Sequence, residues 1–558
     1  MKNTKYKNIL TAATTLLMSV TACHQAISQT LEVPTAGQIL KQTLPEEYPL
    51  KISENQSTDI PSPSLLKEQP GGMKVQLTSI QFSGNTVYSN SELATVIGDI
   101  RGQEFDLGQL RGLANVISEH YRNNGYLFAK GFLPAQQLNN GVLNIAIAEG
   151  YYGDVRIEGE AEIELAGFVN PLSPGSIIRA KELQQTVSIL HDIPGFSIKS
   201  LMKPGAIAGT GDLIIDMDKV ATRSSFVSLD NYGSRYIGPY RLMGYVGDNN
   251  VLSAGDQLQG SILISNEHLL FGSLNYDRLV GYKGMRMGMS LLKTDYQIAE
   301  IDASLQGLDA QGIARVTALN ASYPLVRDKQ QKVDLQVQLK YKQFTDTSIG
   351  ISASKNALVV PMSVHFNWQD AFSGGGITYG RIEATVGDLT IQTLSAREQD
   401  QRTANTQGFF SKLNIDISRL QKIDEKLTLF AHVQGQWSNT NLDSSEDMSL
   451  GGAQSVRAFP SGEAASDKAL MSQIEIRYAM GEASAFVFYD VAMGWKNAKR
   501  WDPINNRRTL SGIGIGVRAS YKELSYEVTA AKHLVGGASQ SDNTNSSPML
   551  WANFRHAF

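Results

Sequence analysis

Beyond Ala221 the apolar positions fall on every second residue. Val333, Leu335, Val337, Leu339 and Tyr341 alternate with Asp334, Gln336, Gln338, Lys340 and Lys342. Leu258, Gly260, Ile262 and Ile264 alternate with Gln257, Gln259 and Ser261, and Leu524, Tyr526, Val528 and Ala530 alternate with Glu523, Ser525, Glu527 and Thr529. A period of two predicts strands with one wet face and one apolar face. At roughly 21 residues per strand and connection, the stretch from Arg223 to Phe558 holds about sixteen strands. A large soluble β-sandwich or propeller would share this alternation. The last strand separates the readings: Leu550, Ala552, Phe554, His556 and Phe558 alternate up to a terminal aromatic. Such a residue suits the aromatic girdle of a membrane barrel.

Upstream the period changes. Val75, Leu77, Ile80 and Phe82 predict a strand ending at Gly84-Asn85. Asp106 is placed to cap a helix whose stripe is Leu110, Leu113, Ile117 and Tyr121, with Gly125 at its end. Strands are predicted over 126–133 and 142–148. A second unit repeats the order, with a strand at 155–159 and a helix stripe of Leu183, Val187 and Leu190. Two more strands follow at 196–202 and 212–217. Boundaries fall at 74–150 and 151–220 for these two α+β units and at 221–558 for the strand-rich region.

The first 28 residues carry Lys2, Lys5 and Lys7 before an apolar stretch from Ile9 to Val20, the layout of a secretory signal. Ala26-Ile27-Ser28 fits ordinary cleavage, and Val20-Thr21-Ala22-Cys23 has the shape of a lipoprotein box. Cys23 is the only cysteine, so no disulfide can form within the chain. Residues 29–73 combine a short amphipathic helix, with Ala36, Ile39 and Leu40 on one face, and a Pro/Gly/Ser-rich linker. No other segment is long and apolar enough for a transmembrane helix, so any membrane crossing must be a closed barrel. A net charge of −4 over 558 residues and the lack of a basic stripe with interleaved aromatics argue against nucleic acid.

Catalytic patterns are missing. The eight histidines are scattered without metal-ligand spacing. No HExxH, phosphate-binding loop or Gly-x-Ser-x-Gly elbow occurs, so neither metal nor cofactor is expected and the chain does not read as an enzyme. Gly512, Gly514 and Gly516 sit in a strand-like run with no helix after them, which speaks against a nucleotide loop. Glu425, Glu475 and Asp490 are single carboxylates on predicted strands, and Arg477 shares a face with Glu475. A polar barrel lumen would receive such charges. The segment Gly451-Gly452-Ala453-Gln454-Ser455-Val456-Arg457-Ala458-Phe459-Pro460 places one cation in a small-residue loop just upstream of them.

Taken in order, these segments resemble the outer-membrane transporters of two-partner secretion, the TpsB family, within the outer-membrane assembly-factor superfamily. Pro34-Thr35-Ala36-Gly37-Gln38-Ile39-Leu40 resembles its plug-helix region. Ile80-Gln81-Phe82-Ser83-Gly84-Asn85-Thr86-Val87-Tyr88, Tyr121-Arg122-Asn123-Asn124-Gly125-Tyr126, Leu133-Pro134-Ala135-Gln136 and Glu149-Gly150 resemble the first polypeptide-transport-associated (POTRA) domain. Leu201-Met202-Lys203-Pro204-Gly205 and Asp212-Leu213 resemble the end of a second, and Leu229-Asp230-Asn231-Tyr232-Gly233 the first barrel strand. Val456-Arg457-Ala458-Phe459 is similar to the family's Val-Arg-Gly-aromatic loop, and Asp490 to its strand aspartate. Alanines 458 and 492 stand where the family has glycines able to take φ > 0.

The resemblance implies a transmembrane barrel of about sixteen antiparallel strands, two periplasmic POTRA domains and an N-terminal plug helix. It implies a loop around 450–468 that folds into the barrel and pairs Arg457 with Asp490. The partners it implies are a large secreted exoprotein with an N-terminal secretion domain and outer-membrane lipid, for a monomeric barrel in a Gram-negative outer membrane. Two rivals remain open: an outer-membrane assembly or insertion factor, and a passive porin-like channel.

Overall fold

The computed structural model describes residues 34–44, 71–159, 162–300, 307–542 and 546–558. The signal sequence, Cys23 and most of the linker lie outside them.

Two α+β units of the same topology come first. In one, the strand Val142–Ala148 is central, parallel to Ser79–Ser83 and antiparallel to Lys130–Phe132. In the other, Thr210–Lys219 is central, parallel to Tyr151–Gly159 and antiparallel to Phe196–Pro204. The helix Leu107–Asn123 starts at Asp106, which accepts from Gln109 N (2.8 Å), and Gly125 follows it at φ 89°. Leu110, Ile117 and Tyr121 of this helix are buried with Leu143, Ile145 and Ile147 of the central strand. Burying each such side chain contributes about 1.5–3 kcal/mol. The helix Ala180–His191 buries Leu183, Val187 and Leu190 in the second core.

The strand expected over 126–133 is shorter. Ala129 N donates to Tyr126 O (3.1 Å), closing a turn, and only Lys130–Phe132 is extended. The Tyr126 ring instead packs edge-on against Tyr88 and Tyr121 at 6.2 and 5.8 Å.

Sixteen strands from Arg223–Asp230 to Met549–Ala557 close into one antiparallel barrel. At the closing seam the register is Asn553↔Asp230 through Ala557↔Phe226. Alternation sorts the faces as the sequence predicts: Ile474, Ile476, Val487, Ile513 and Ile515 face outward and are exposed. Their inward neighbours Gln473, Glu475 and Asp490 are buried inside the barrel. Phe558 is exposed, with its N–H donating to Ser225 O (2.9 Å). Glu425 is not on a strand. It lies in the turn between Gly408–Lys422 and Leu427–Ser438, where Asp424 accepts from Lys426 N and Leu427 N.

The second α+β unit is docked on the strand turns nearest it. Asp192 pairs with Arg327 (2.7 Å) and Lys332 (2.5 Å), and Phe168 meets Tyr282 edge-on at 5.6 Å.

Candidate functional site: the filled barrel lumen

The connection between Leu427–Ser438 and Lys468–Met480 spans 439–467, longer than the stretch anticipated from sequence, and it enters the barrel. Its tip carries Arg457, 3% exposed, against Asp490, 0% exposed. Arg457 Nε donates to Asp490 Oδ2 (2.9 Å), Nη2 to Oδ1 (2.7 Å), and the Arg457 backbone N to Oδ2 (3.1 Å). The fork is planar and matched to a carboxylate, which point-charged lysine could not reproduce. Arg457 Nη1 also donates to Glu475 Oε1 (2.5 Å), and its Cζ lies 3.5 Å from the Phe488 ring centroid. Glu475 is shared: Arg477 reaches it at 2.7 Å and Arg518 at 3.4 Å. Arg518 Nε also pairs with Glu527 (2.9 Å), so what the sequence offered as a pair is a network of three arginines and three carboxylates. Trp551 Nε1 closes it by donating to Arg457 O (2.7 Å).

Around this network lies an apolar inner-wall patch. Val456, Ala458 and Phe459 are buried with Phe486, Phe488, Ala492 and Leu510. Neither Ala458 nor Ala492 has a positive φ, so alanine carries no backbone strain at either position. Positive φ occurs elsewhere in this loop, at Gly452 (135°), Gly462 (83°) and Ala464 (53°). The glycines of the 512–516 run supply space. A Cβ on Gly512 would collide with Ala458 Cβ, on Gly514 with the Phe488 ring, and on Gly516 with the Phe486 ring.

Sequence reasoning missed a second anchor, Glu463. It is fully buried, pairs with Arg508 (2.5 Å), and accepts from Gln540 N (2.9 Å), Ser541 N (2.7 Å) and Ser541 Oγ (2.6 Å). Nothing local marks it, because its partners are distant in the chain: Arg508 comes from the strand Arg507–Tyr521, and Gln540 and Ser541 from another loop.

The other half of the loop holds the helix Ala36–Thr43, whose Ala36, Ile39 and Leu40 are all buried. Thr35 Oγ1 lies 2.7 Å from Ser444 Oγ, and Lys41 donates to Asp447 O. A Cβ on Gly37 would stand 2.6 Å from Ser445 Cβ, so only glycine allows this approach. Ala36 N donates to Asp346 Oδ1 (2.7 Å) at the helix start, and Arg241 Nη1 donates to Gln42 O (2.8 Å) at its end. An acid at the N-terminus and a cation at the C-terminus both suit the helix dipole. The loop beneath is fixed to the wall by Glu446 with Lys342 (2.5 Å) and Lys412 (2.9 Å), and by Asp443 with Lys355 (2.6 Å).

Helix and loop thus occupy the interior together, an arrangement suited to closing a wide pore. A profile of the haemolysin secretion/activation protein family ShlB/FhaC/HecB matches residues 209–519, and one of the ShlB-type POTRA domain matches 75–150. The chain belongs to this family. It is an outer-membrane transporter of the two-partner secretion type, with its POTRA end in the periplasm. The heme/hemopexin transporter protein HuxB of Haemophilus influenzae (strain 86-028NP) is 27% identical, across 85% of this chain and 86% of its own length. The outer membrane transporter CdiB of Escherichia coli (strain 536) is 23% identical over 82% of this chain and 79% of its own. The fold matches solved CdiB from Escherichia coli with a TM-score of 0.71 at 20% identity, covering 92% of this chain and 94% of that one.

Proposed function

We propose that this transporter receives one large exoprotein, unfolded, on its periplasmic POTRA units and passes it through the barrel to the cell surface. The observation carrying this reading is the lumen itself, filled by a short helix held at both ends by polar contacts and by a loop anchored to the wall through Arg457 and an apolar patch. Polar contacts exchange readily for water or for a passing chain, whereas an apolar plug would not. An extended client can pair with the open POTRA sheet edges by backbone hydrogen bonds, which tolerates varied sequence. The helix 36–43 is the removable part and the Arg457 loop the part that stays on the wall. The barrel works as a single chain in lipid, without catalytic chemistry. A passive channel would have no use for two periplasmic α+β units.

The test is secretion. Deleting the transporter should leave its large exoprotein client in the periplasm, and re-expression should return it to the surface. Exoprotein reaching the surface at normal levels in the deletion strain would overturn the assignment.

A further inference from the structure

One outward-facing row of side chains is not explained by transport. Trp437, Lys468, Trp495 and Arg507 lie side by side on four adjacent strands. The register pairs Gln436 with Ala469, which brings Trp437 beside Lys468, and it pairs Lys468↔Trp495 and Trp495↔Arg507 directly. Lys468 Nζ stands 4.7 Å from the Trp437 ring centroid, and Arg507 Cζ 5.8 Å from that of Trp495. The row crowns the lipid-facing wall, since Leu470, Ile474 and Ile476 continue the Lys468 face and Ile513 and Ile515 the Arg507 face. It lies at the strand ends remote from the POTRA units.

Among the described residues the hydrogen-bond partners of both cations are neutral, and the one acid that feels the Lys468 charge is its neighbour Asp467. Lys468 Nζ donates to Ala498 O (3.3 Å), and Arg507 Nε approaches Met493 Sδ (3.0 Å). Asp467 is the nearest acid in sequence, and its carboxylate accepts from Leu442 N (2.9 Å) and Ala498 N (2.7 Å). A polar cleft of about 410 Å³ opens between the connection leading into Gly408–Lys422 and the segments that follow Leu427–Ser438 and Ala483–Trp495, lined by Gln407, Phe409, Asn441, Lys499, Arg500 and Trp501. The segment 496–507 carries Lys496, Lys499, Arg500 and Arg507 against the single acid Asp502, while the next residue, Arg508, faces the lumen and pairs with Glu463.

We infer that this face is a binding site for a phosphate-bearing lipid of the outer leaflet. Its acyl chains lie along the apolar wall, its phosphates reach Lys468 and Arg507, and its headgroup enters the cleft. Adjacent strands are ~4.8 Å apart, so the two cations, two strands apart, are spaced about 10 Å across the headgroup zone. Indole rings at the interface hold the long cationic side chains at that depth through cation–π contact. Positive charge over an apolar wall and beside a polar cleft complements an anionic lipid and does not favour a zwitterionic one.

The test uses full-length, delipidated protein in detergent and native mass spectrometry with bisphosphorylated lipid A, its dephosphorylated form and phosphatidylethanolamine. A cation near a charged headgroup contributes about 1 kcal/mol, so Lys468→Gln with Arg507→Gln should weaken lipid A binding about 30-fold. The double variant should leave phosphatidylethanolamine binding unchanged. Wild-type protein, whose folding is not in question, should bind dephosphorylated lipid A as weakly as phosphatidylethanolamine. Equal binding of the two lipid A forms by wild type would overturn the site, leaving only an ordinary interfacial girdle. So would undiminished lipid A binding by the double variant.

Discussion

Replacing Arg457 by alanine isolates what the loop anchor contributes. The substitution removes three side-chain hydrogen bonds, two to Asp490 and one to Glu475. The two carboxylates are left in unequal positions. Glu475 keeps Arg477 and Arg518, whereas Asp490 keeps only the Arg457 backbone N–H among the bonds described above. Nearly the whole penalty therefore falls on one buried carboxylate, and breaking such a pair costs about 3–5 kcal/mol. The apolar contacts of Val456 and Phe459 and the Glu463 anchor remain, so the barrel should assemble while the loop tip detaches. Removing the orphaned charge as well should relieve much of the loss. Arg457→Ala with Asp490→Ala should be less destabilised than the sum of the two single variants by about 2–3 kcal/mol. The assay is hydrogen exchange across 448–466 in purified full-length barrels, with secretion measured in parallel and heat-modifiability reporting barrel closure. We expect lost protection and impaired secretion in Arg457→Ala at normal barrel abundance. Unchanged protection of the loop in that variant, or strictly additive single effects, would refute the reasoning.

Other consequences follow from the same geometry. Gly512→Ala would place a methyl against Ala458 Cβ; we expect overpacking of about 1–3 kcal/mol, read as faster exchange of the loop tip, with the same change silent at Gly260, where an added Cβ would meet nothing nearer than Ser273 O at 3.9 Å. Removing residues 33–44 takes the helix from the lumen, so single-channel conductance in planar bilayers should rise, and unchanged conductance would show that the helix does not obstruct the pore. Glu149 in the first POTRA unit accepts from Thr86 N (2.7 Å), Val87 N (2.9 Å), Tyr121 OH (2.8 Å) and Tyr151 OH (3.0 Å). Burial opposes its ionisation, but the bonds from Thr86, Val87 and Tyr121 outweigh it and hold the carboxyl below its ordinary value of 4.5. A depressed folded pKa stabilises fully above the unfolded value, and that stabilisation is lost as pH falls through the folded one. Calorimetry of the full-length protein should show the POTRA transition weakening below about pH 4.5 in wild type and not in Glu149→Gln, which should be less stable at pH 7 by roughly 1–3 kcal/mol.

Features that depend on neighbours along the chain were legible in the sequence. Period-two alternation decides which side chains face lipid, because successive strand residues point to opposite faces whatever the partner strand is. Asp106 and Gly125 delimit a helix through contacts within one or two turns. The Val456-Arg457-Ala458-Phe459 resemblance led to Asp490, and the alternation around Gln473, Glu475 and Arg477 already implied which of those charges point inward. Features that depend on which strands become neighbours required the closed barrel. Glu463 meets Arg508 and the 540–541 backbone, and Gly512 makes room for Ala458, only because a returning loop crosses the lumen. Alanine at 458 looked like a departure from a flexible tip, and in the structure it is a packing contact with ordinary backbone. The chain shows no basic stripe with interleaved aromatics when read linearly. Yet Trp437, Lys468, Trp495 and Arg507 form one across four strands, since hydrogen-bond register, not sequence distance, sets which residues stand side by side.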